Sequence, residues 1–252
     1  VVLPETEILR QARTAIAEGF SELLLLGQNI NKYQWNGTVL VQLMTTIDAF
    51  PARFWLWFLS SHPANFTVEE IQKLMTLEHV EHRLHLPLQS GSDRVLRQMN
   101  RRYTVAQYAA LVAPIRADAT WSLTTDIIVG FPGETEEDFS ATVETVRRFR
   151  FDAVFLAKYS DRPGTPASRM QNKIPRDIID RRHSLLLSLV QTLSEENNQR
   201  WVDHIVEVLV LVCTAAGEKN FGRTRDGRNM WFISHSNNIK VGSFIQVFVE
   251  HV

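Results

Sequence analysis

Short apolar runs recur roughly every thirty residues through the first two-thirds of the chain, and this spacing constrains the fold more than any other feature. The runs are Leu23–Leu26, Phe54–Leu59, Arg83–Leu86, Trp121–Val129 and Ala153–Lys158. Amphipathic stretches separate them, so the pattern predicts successive units of one strand and one helix. Parallel strands joined by crossover helices form an open sheet or a barrel. The sequence therefore predicts an α/β fold, and its periodicity leaves both arrangements open.

The predicted helices between these runs carry recognisable start and stop signals. Glu5–Glu18 places its apolar side chains on one face and ends at Gly19, a residue that favours helix termination. Thr67 and Glu70 have the spacing of a capping box at the start of another helix. Thr135 is the predicted N-cap of a third helix, whose first turn is acidic and so suits the helix dipole.

A different pattern begins near Pro175. Residues 176–200 have helical periodicity, and after Trp201 the chain becomes β-like, with glycines at spacings typical of tight turns. The predicted strands are Ile205–Cys213, Phe221–Thr224, Met230–Ile233 and Phe244–Val249. Short strands over so few residues predict a small all-β barrel at the end of the chain.

Composition excludes several classes of protein. The single cysteine, Cys213, rules out an internal disulfide framework and fits a reducing cytosol. The apolar runs are too short to cross a bilayer, and no secretory signal pattern opens the chain. The formal net charge of −1 means that any contact with nucleic acid must come from a local basic patch. Since the chain begins at Val1, we expect processing or truncation at its start.

Four polar loops follow the predicted strands, where α/β enzymes place their active sites. They are Gly27–Tyr33, His85–Asp93, Thr125–Thr135 and Tyr159–Pro166. Each loop alone is explained as a structural turn, and His85 alone as a hydrogen-bonded structural residue. Four such loops at one end of successive strands instead indicate a site for a polar ligand. No Gly-x-Gly-x-x-Gly or phosphate-loop pattern occurs, so a nucleotide phosphate is not the expected ligand.

The ordered set of loops resembles the methylthiotransferases, a branch of the radical S-adenosylmethionine (SAM) superfamily. Gly27-Gln28-Asn29 and the loop that begins at Tyr159 are similar to the type that acts on dimethylallyladenosine in tRNA. The tail, with Gly222-Arg223-Thr224, is similar to the TRAM domain, a small RNA-binding β-barrel. The segments that carry the resemblance are Leu25–Tyr33, His85–Asp93, Met99–Thr104, Asp126–Phe139, Tyr159–Ala167 and the tail from 198 to 252.

The resemblance implies a partial radical-SAM (β/α)6 barrel over residues 1–197, without its first strand and cysteine loop, followed by a TRAM domain over 198–252. It implies methylthiolation of C2 of N6-(dimethylallyl)adenosine next to the anticodon. The cofactors it implies are S-adenosylmethionine and two 4Fe-4S clusters in the full-length enzyme. The implied partners are the tRNA anticodon stem-loop and an electron donor, for a cytoplasmic monomer without a membrane partner.

The resemblance also implies binding residues, although it assigns no catalytic side chain and no metal ligand. The residues implied to bind S-adenosylmethionine are Gln28, Asn29, Gln89, Ser90, Asp126, Val129, Gly130 and Phe131. In the tail, cations lie beside Phe221 and Trp231, rings on which bases can stack. The predicted RNA-binding residues are Lys219, Arg223, Arg225, Arg228 and Lys240.

One departure from the family is informative. The superfamily holds its cluster with three thiolates in a Cys-x3-Cys-x2-Cys loop, and this sequence has only Cys213. We therefore expect the chain to be a fragment that holds neither cluster and is inactive alone. Three alternatives stay open: a methylthiotransferase for threonylcarbamoyladenosine, a non-catalytic RNA-binding protein, and an unrelated (β/α) hydrolase. The hydrolase is disfavoured because the sequence has no nucleophile elbow and no metal-binding histidine pair.

Overall fold

The computed structural model describes residues 2–215, 217–236 and 238–251. These form two compact units, each built from more than one stretch of the chain. The first unit is drawn from Val1–Arg83, Thr120–Ser122 and Trp201–Val252, and the second from Leu84–Ala119 and Leu123–Arg200. The predicted domain boundary between residues 197 and 198 falls near the end of a helix and stays a prediction.

The N-terminal part of the first unit alternates helices and short strands. Its elements are α1 (Glu5–Ala17), β1 (Glu22–Leu25), β2 (Gln34–Trp35), β3 (Thr38–Val39), α2 (Leu40–Asp48), β4 (Trp55–Phe58) and α3 (Val68–Met75). β1 pairs with β4 in parallel, with Leu24 opposite Trp57, and β2 pairs with β3 antiparallel. The parallel pair confirms the predicted βα arrangement, while α2 and the β2–β3 pair were not predicted.

The second unit contains a three-stranded sheet in the order β5-β6-β7, with β6 and β7 parallel. Its elements are β5 (Arg83–His85), α4 (Asp93–Gln98), α5 (Val105–Ala117), β6 (Ser122–Val129), α6 (Glu136–Phe149), β7 (Ala153–Lys158) and α7 (Arg176–Gln199). The first residues of β5 and β6, Arg83 and Ser122, belong to the first unit. Alternate residues of β6 are fully buried, among them Leu123, Ile127 and Val129. The residues between them lie on the opposite, partly exposed face, which carries the candidate site.

The tail of the first unit is a four-stranded antiparallel sheet in the order β10-β9-β8-β11. Its strands are β8 (Ile205–Val212), β9 (Lys219–Thr224), β10 (Asn229–Ile233) and β11 (Phe244–Phe248). Val206, Val208, Val210, Phe232 and Val249 form its buried core. All four predicted strands are therefore present, and their closure into a TRAM barrel stays a prediction.

The predicted helix starts are confirmed in atomic detail. The Thr67 hydroxyl accepts a hydrogen bond from the Glu70 N–H at 3.1 Å, and the Glu70 carboxylate accepts one from the Thr67 N–H at 2.8 Å. The Thr135 hydroxyl likewise accepts from the Asp138 N–H at 3.3 Å. Among the described residues, no helix is both long enough and apolar enough to cross a membrane.

Candidate functional site

In the second unit, the turns after β5 and β6 adopt left-handed backbone conformations. Gln89 has φ 74° and Gly130 has φ 79°. The Gln89 N–H donates to the Asp126 carbonyl at 2.8 Å, and its own carbonyl accepts from the Ile128 N–H at 3.0 Å. A left-handed conformation costs a non-glycine residue about 1–2 kcal/mol, and such strain is frequent at functional sites. The structure thus fixes Gln89 tightly beside Asp126, as a ligand site at this end of the sheet would require.

The partly exposed face of this sheet carries a polar and aromatic cluster. His85 Nδ1 lies 2.9 Å from the Thr124 hydroxyl, and its Nε2 lies 3.5 Å from Asp126 Oδ1. The ring of Phe155 meets the His85 ring edge-on at 5.6 Å and is 62% exposed, although it belongs to an apolar strand. A carboxylate, an imidazole and an exposed ring on neighbouring strands can bind a polar aromatic ligand. Sequence reasoning missed Phe155; the only signal for it was its alternation along β7.

Four of the predicted cofactor-binding residues have buried side chains, and one of them is Gln89, which is 6% exposed. Ser90 is fully buried, and its hydroxyl accepts from the Ser92 N–H at 3.2 Å. Val129 is also fully buried, and Phe131 packs edge-on against Tyr159 with ring centroids 5.5 Å apart. These four side chains are therefore packed inside the protein, and direct contact between them and a cofactor stays a prediction.

The glycine amides of these loops already have partners in the protein. The Gly130 N–H donates to Glu134 Oε2 at 2.9 Å, and the Gly133 N–H donates to the Asn172 carbonyl at 2.8 Å. The Gly91 N–H donates to the Thr142 hydroxyl at 3.0 Å. The N–H groups of these glycines therefore already have acceptors within the protein. The polar side chains of the exposed face are the groups offered to a ligand.

Gln28 and Asn29 lie in the first unit, and both are exposed. Asn29 has φ 50°, and the residue after it, Ile30, donates from its N–H to the Ser60 carbonyl at 3.1 Å. The Asn31 amide donates to the His62 carbonyl and accepts from its N–H, each at 2.9 Å. The loop after β1 is thus held rigidly, with its first two amide side chains outward.

The three arginines predicted to bind RNA have protein partners. Arg223, only 14% exposed, forms ion pairs with Glu22 and Glu81. Arg225 donates to the carbonyls of residues 78 and 80, and burial lowers the pKa of its guanidinium. Arg228 forms an ion pair with Asp226 and lies over the Trp201 ring, 5.5 Å from its centroid. The three arginines of the expected basic turn are therefore engaged by residues of the first unit.

Lys219 and Lys240, by contrast, are exposed. Trp231 is 66% exposed and packs against Phe221, with ring centroids 4.9 Å apart. Of the predicted arrangement of cations beside stacking rings, the two lysines and Trp231 are exposed at the surface. RNA binding by the whole predicted set stays a prediction.

A buried charge cluster, which sequence reasoning missed, lies in the first unit. It consists of Glu22, Glu81, Arg83 and Arg223, with Arg83 stacked 3.4 Å from the centre of the Trp57 ring. Glu81 is fully buried, and this burial raises the pKa of its carboxyl to about 7 even though both guanidiniums oppose the shift. The cluster joins residues that are 142 and 201 positions apart in the chain.

An iron–sulfur cluster does not fit the residues of this chain. The single cysteine, Cys213, donates its thiol to the Ile239 carbonyl at 3.2 Å in the tail of the first unit. The described residues contain no group of three or more potential metal ligands. In the second unit, Asp126 is 37% exposed, and its carboxylate can accept hydrogen bonds from the polar groups of S-adenosylmethionine. In the first unit, Gln28 and Asn29 are exposed amides.

The model of the radical SAM superfamily matches residues 1–146. The tRNA-2-methylthio-N(6)-dimethylallyladenosine synthase of Corynebacterium jeikeium is 38% identical over 259 residues, which cover 96% of this chain and 50% of that protein. The synthase of the same name from Mycobacterium bovis is 38% identical over 255 residues, or 95% of this chain and 49% of that protein. The chain thus spans about half the length of the curated relatives it matches.

Two solved structures share the fold at low identity. Coproporphyrinogen III oxidase (HemN) from Escherichia coli, a radical SAM enzyme, has a TM-score of 0.55 at 17% identity, covering 77% of this chain and 48% of that chain. The radical SAM methyltransferase TsrM from Kitasatospora setae has a TM-score of 0.51 at 16% identity, covering 65% of this chain and 32% of that chain. At such low sequence identity, these structural similarities support the fold only.

Proposed function

The chain belongs to the radical SAM superfamily, and we propose on this premise that it is part of a tRNA methylthiotransferase. The proposed reaction replaces the hydrogen at C2 of N6-(dimethylallyl)adenosine, next to the anticodon, with a methylthio group. The observation that supports it best is the identity to the two synthases over nearly the whole chain. The alternative substrate is threonylcarbamoyladenosine, and the names of the two synthases favour dimethylallyladenosine over it.

The proposed task of this chain is to bind and orient S-adenosylmethionine. When bound, the cofactor supplies the methyl group and the radical chemistry of the reaction. The residues that would hold its polar groups are Gln28, Asn29, Gln89 and Asp126. Residues 129–131 would form the wall beside its adenosine. The thiolates for the two 4Fe-4S clusters must come from other residues of the gene product, since this chain has a single cysteine.

We propose further that the strands of the tail form a TRAM-type module that contacts the tRNA anticodon stem-loop. Exposed Lys219, Lys240 and Trp231 support this, because lysine pairs with phosphate and an exposed ring stacks on a splayed base. The proposed enzyme acts on tRNA as a monomer in the cytoplasm and receives electrons from a cytosolic donor.

The test is to express the gene product that carries these residues in a bacterial strain without its own synthase. Digested tRNA is then analysed by liquid chromatography and mass spectrometry. Accumulation of 2-methylthio-N6-dimethylallyladenosine supports the proposal, and an Asp126→Ala variant should lose this product. The methylthio derivative of threonylcarbamoyladenosine would instead identify the sister activity, and tRNA binding without either product would identify a non-catalytic protein.

The residues of this chain give a matched control. The 252-residue chain alone, treated anaerobically with iron and sulfide, should show no cluster absorption near ~400 nm. Stoichiometric cluster uptake by this chain would contradict the assignment of the thiolates to other residues.

A further inference from the structure

The loop after β6, residues 130–134, is held by a buried ion pair from α7. Glu134 and Arg182 have side chains that are 1% and 4% exposed, and Arg182 Nη1 donates to Glu134 Oε2 at 2.7 Å. The same carboxylate oxygen accepts from the Gly130 N–H at 2.9 Å. Arg182 Nη1 also lies 3.3 Å from the Glu134 carbonyl oxygen. One carboxylate therefore joins the first residue of the loop to the long helix.

A second contact from α7 fixes the same residue from another side. A Cβ atom on Gly130 would lie 2.4 Å from Ile179 Cγ1, so Ile179 occupies the space that a side chain at position 130 would need. Ile179 lies about one helical turn before Arg182 on α7, so both face the loop. Ile179 therefore restricts position 130 to glycine, whose φ is 79° and whose N–H is directed at Glu134.

The far end of the loop is held as firmly. Arg94 Nη2 donates to the Gly133 carbonyl at 2.6 Å, and the Gly133 N–H donates to the Asn172 carbonyl at 2.8 Å. The loop is thus anchored from three parts of the second unit. Between the anchors lie Phe131 and Pro132.

Stability alone does not account for a buried pair of this kind. Removing two charges from water is costly, and well-packed apolar side chains of similar size are often as stabilising or more so. What an apolar pair does not provide is an acceptor aimed at the Gly130 N–H. The ion pair therefore determines the direction of one peptide group, at the end of the strand where the proposed cofactor would lie.

We infer that Arg182 and Glu134 are positioning residues, which orient the Gly130 peptide and the 130–134 loop for S-adenosylmethionine without touching it. The inference rests on the proposed function for the identity of the ligand. The orientation of the Gly130 peptide by Glu134 is independent of that function.

The experiment compares a double variant, Arg182→Met with Glu134→Leu, with the parent gene product. Both substitutions keep apolar volume in the buried site, so the variant should still fold. Its unfolding temperature should fall by a few degrees, because the Gly130 N–H loses its acceptor. The exchange rate of the Gly130 amide hydrogen, followed by NMR, should rise at least tenfold relative to amides of α6. The Kd for S-adenosylmethionine, measured by calorimetry, should rise about tenfold, a typical loss when supporting contacts of a site are removed.

Arg181→Met is the matched control, because Arg181 pairs with Glu136 at the surface, where the two side chains are 67% and 58% exposed. Arg182 Nη2 also donates to Glu136 at 2.9 Å, and the control leaves this contact and the pair with Glu134 in place. This variant should change neither the exchange rate nor the affinity. Arg182→Lys keeps a buried cation beside Glu134 and should keep more of the affinity than the double variant does. If the double variant does not fold, Glu134→Gln against Glu134→Leu carries the same comparison, because glutamine keeps an oxygen that can accept from the Gly130 N–H, and Arg182 keeps its pair with Glu136 in both.

Unchanged exchange at Gly130 in the double variant would overturn the positioning role. Faster exchange with unchanged affinity would overturn the link to the cofactor. If the parent itself does not bind S-adenosylmethionine, the proposed function fails, while the exchange measurement still decides whether Glu134 orients the Gly130 peptide.

Discussion

Glu81→Gln should remove a pH dependence from the stability of the first unit. Glu81 is fully buried, and its pKa is raised from 4.5 to about 7 by loss of solvent, with Arg83 and Arg223 lowering it and Glu22 raising it. The folded state therefore holds the proton more tightly than the unfolded state. The resulting stabilisation is complete below pH 4.5 and is lost as the pH rises through 7.

The magnitude follows from the size of the shift. Each pKa unit corresponds to about 1.4 kcal/mol, so the whole shift is worth roughly 3 kcal/mol. Between pH 5 and pH 8 the parent should lose roughly 2–3 kcal/mol of unfolding free energy through this group. Glutamine resembles the protonated carboxyl, so the variant should match the parent near pH 5 and exceed its stability at pH 8.

Urea unfolding followed by tryptophan emission measures this effect in the first unit, which contains Glu81. All six tryptophans lie in the first unit, at positions 35, 55, 57, 121, 201 and 231. Glu207→Gln is the control, because it removes a carboxylate whose ion pair with Arg53 is at the surface. Its stability curve should run parallel to that of the parent. A parallel curve for Glu81→Gln as well would refute the reasoning from burial.

Three further predictions concern the loops and the tail. Gly91→Ala should destabilise the second unit by about 1–3 kcal/mol in urea unfolding followed by circular dichroism, since the added Cβ would lie 2.5 Å from the backbone of α6; an equal midpoint would contradict this. In the gene product that carries this chain, Gln28→Ala and Asp126→Ala should each weaken S-adenosylmethionine binding by about 1–3 kcal/mol in calorimetry, because cofactor groups lose partners. Unchanged affinity in both would place the cofactor elsewhere. Lys219→Ala with Lys240→Ala should weaken tRNA binding and lower the slope of log affinity against log salt by about 0.7–0.9 per contact; parallel salt plots would show that these lysines contact no phosphate.

The arginines of the tail show how far sequence reasoning reached in the candidate sites. Arg223, Arg225 and Arg228 form a basic turn in the sequence, and the presence of that turn between two strands was predicted correctly. Their partners were not predictable, because the carboxylate of Glu22 that meets Arg223 lies 201 residues away. Whether a guanidinium faces solvent or a buried carboxylate depends on which distant segments pack together, and no local pattern records this.

On the exposed face of the second unit, too, some features were predictable from the sequence and others were not. The sequence predicted loops at the ends of β5 and β6, and it selected Gln89 and Asp126, which the structure joins by a backbone hydrogen bond between two parallel segments. It did not indicate that Ser90 is buried or that Phe155 is exposed, since both depend on which side of a strand or loop the helices cover.

By itself, the sequence determined the βα rhythm, the helix caps at Thr67 and Thr135, and the ordered loops that mark the superfamily. These features depend on residues close together in the chain, whose backbone preferences and hydrogen bonds are local. Only the tertiary structure decided that Glu81 is buried between two guanidiniums and that Arg182 reaches Glu134 beside Gly130. Those contacts join distant segments, and their strength comes from the exclusion of water, which exists only once the segments have packed.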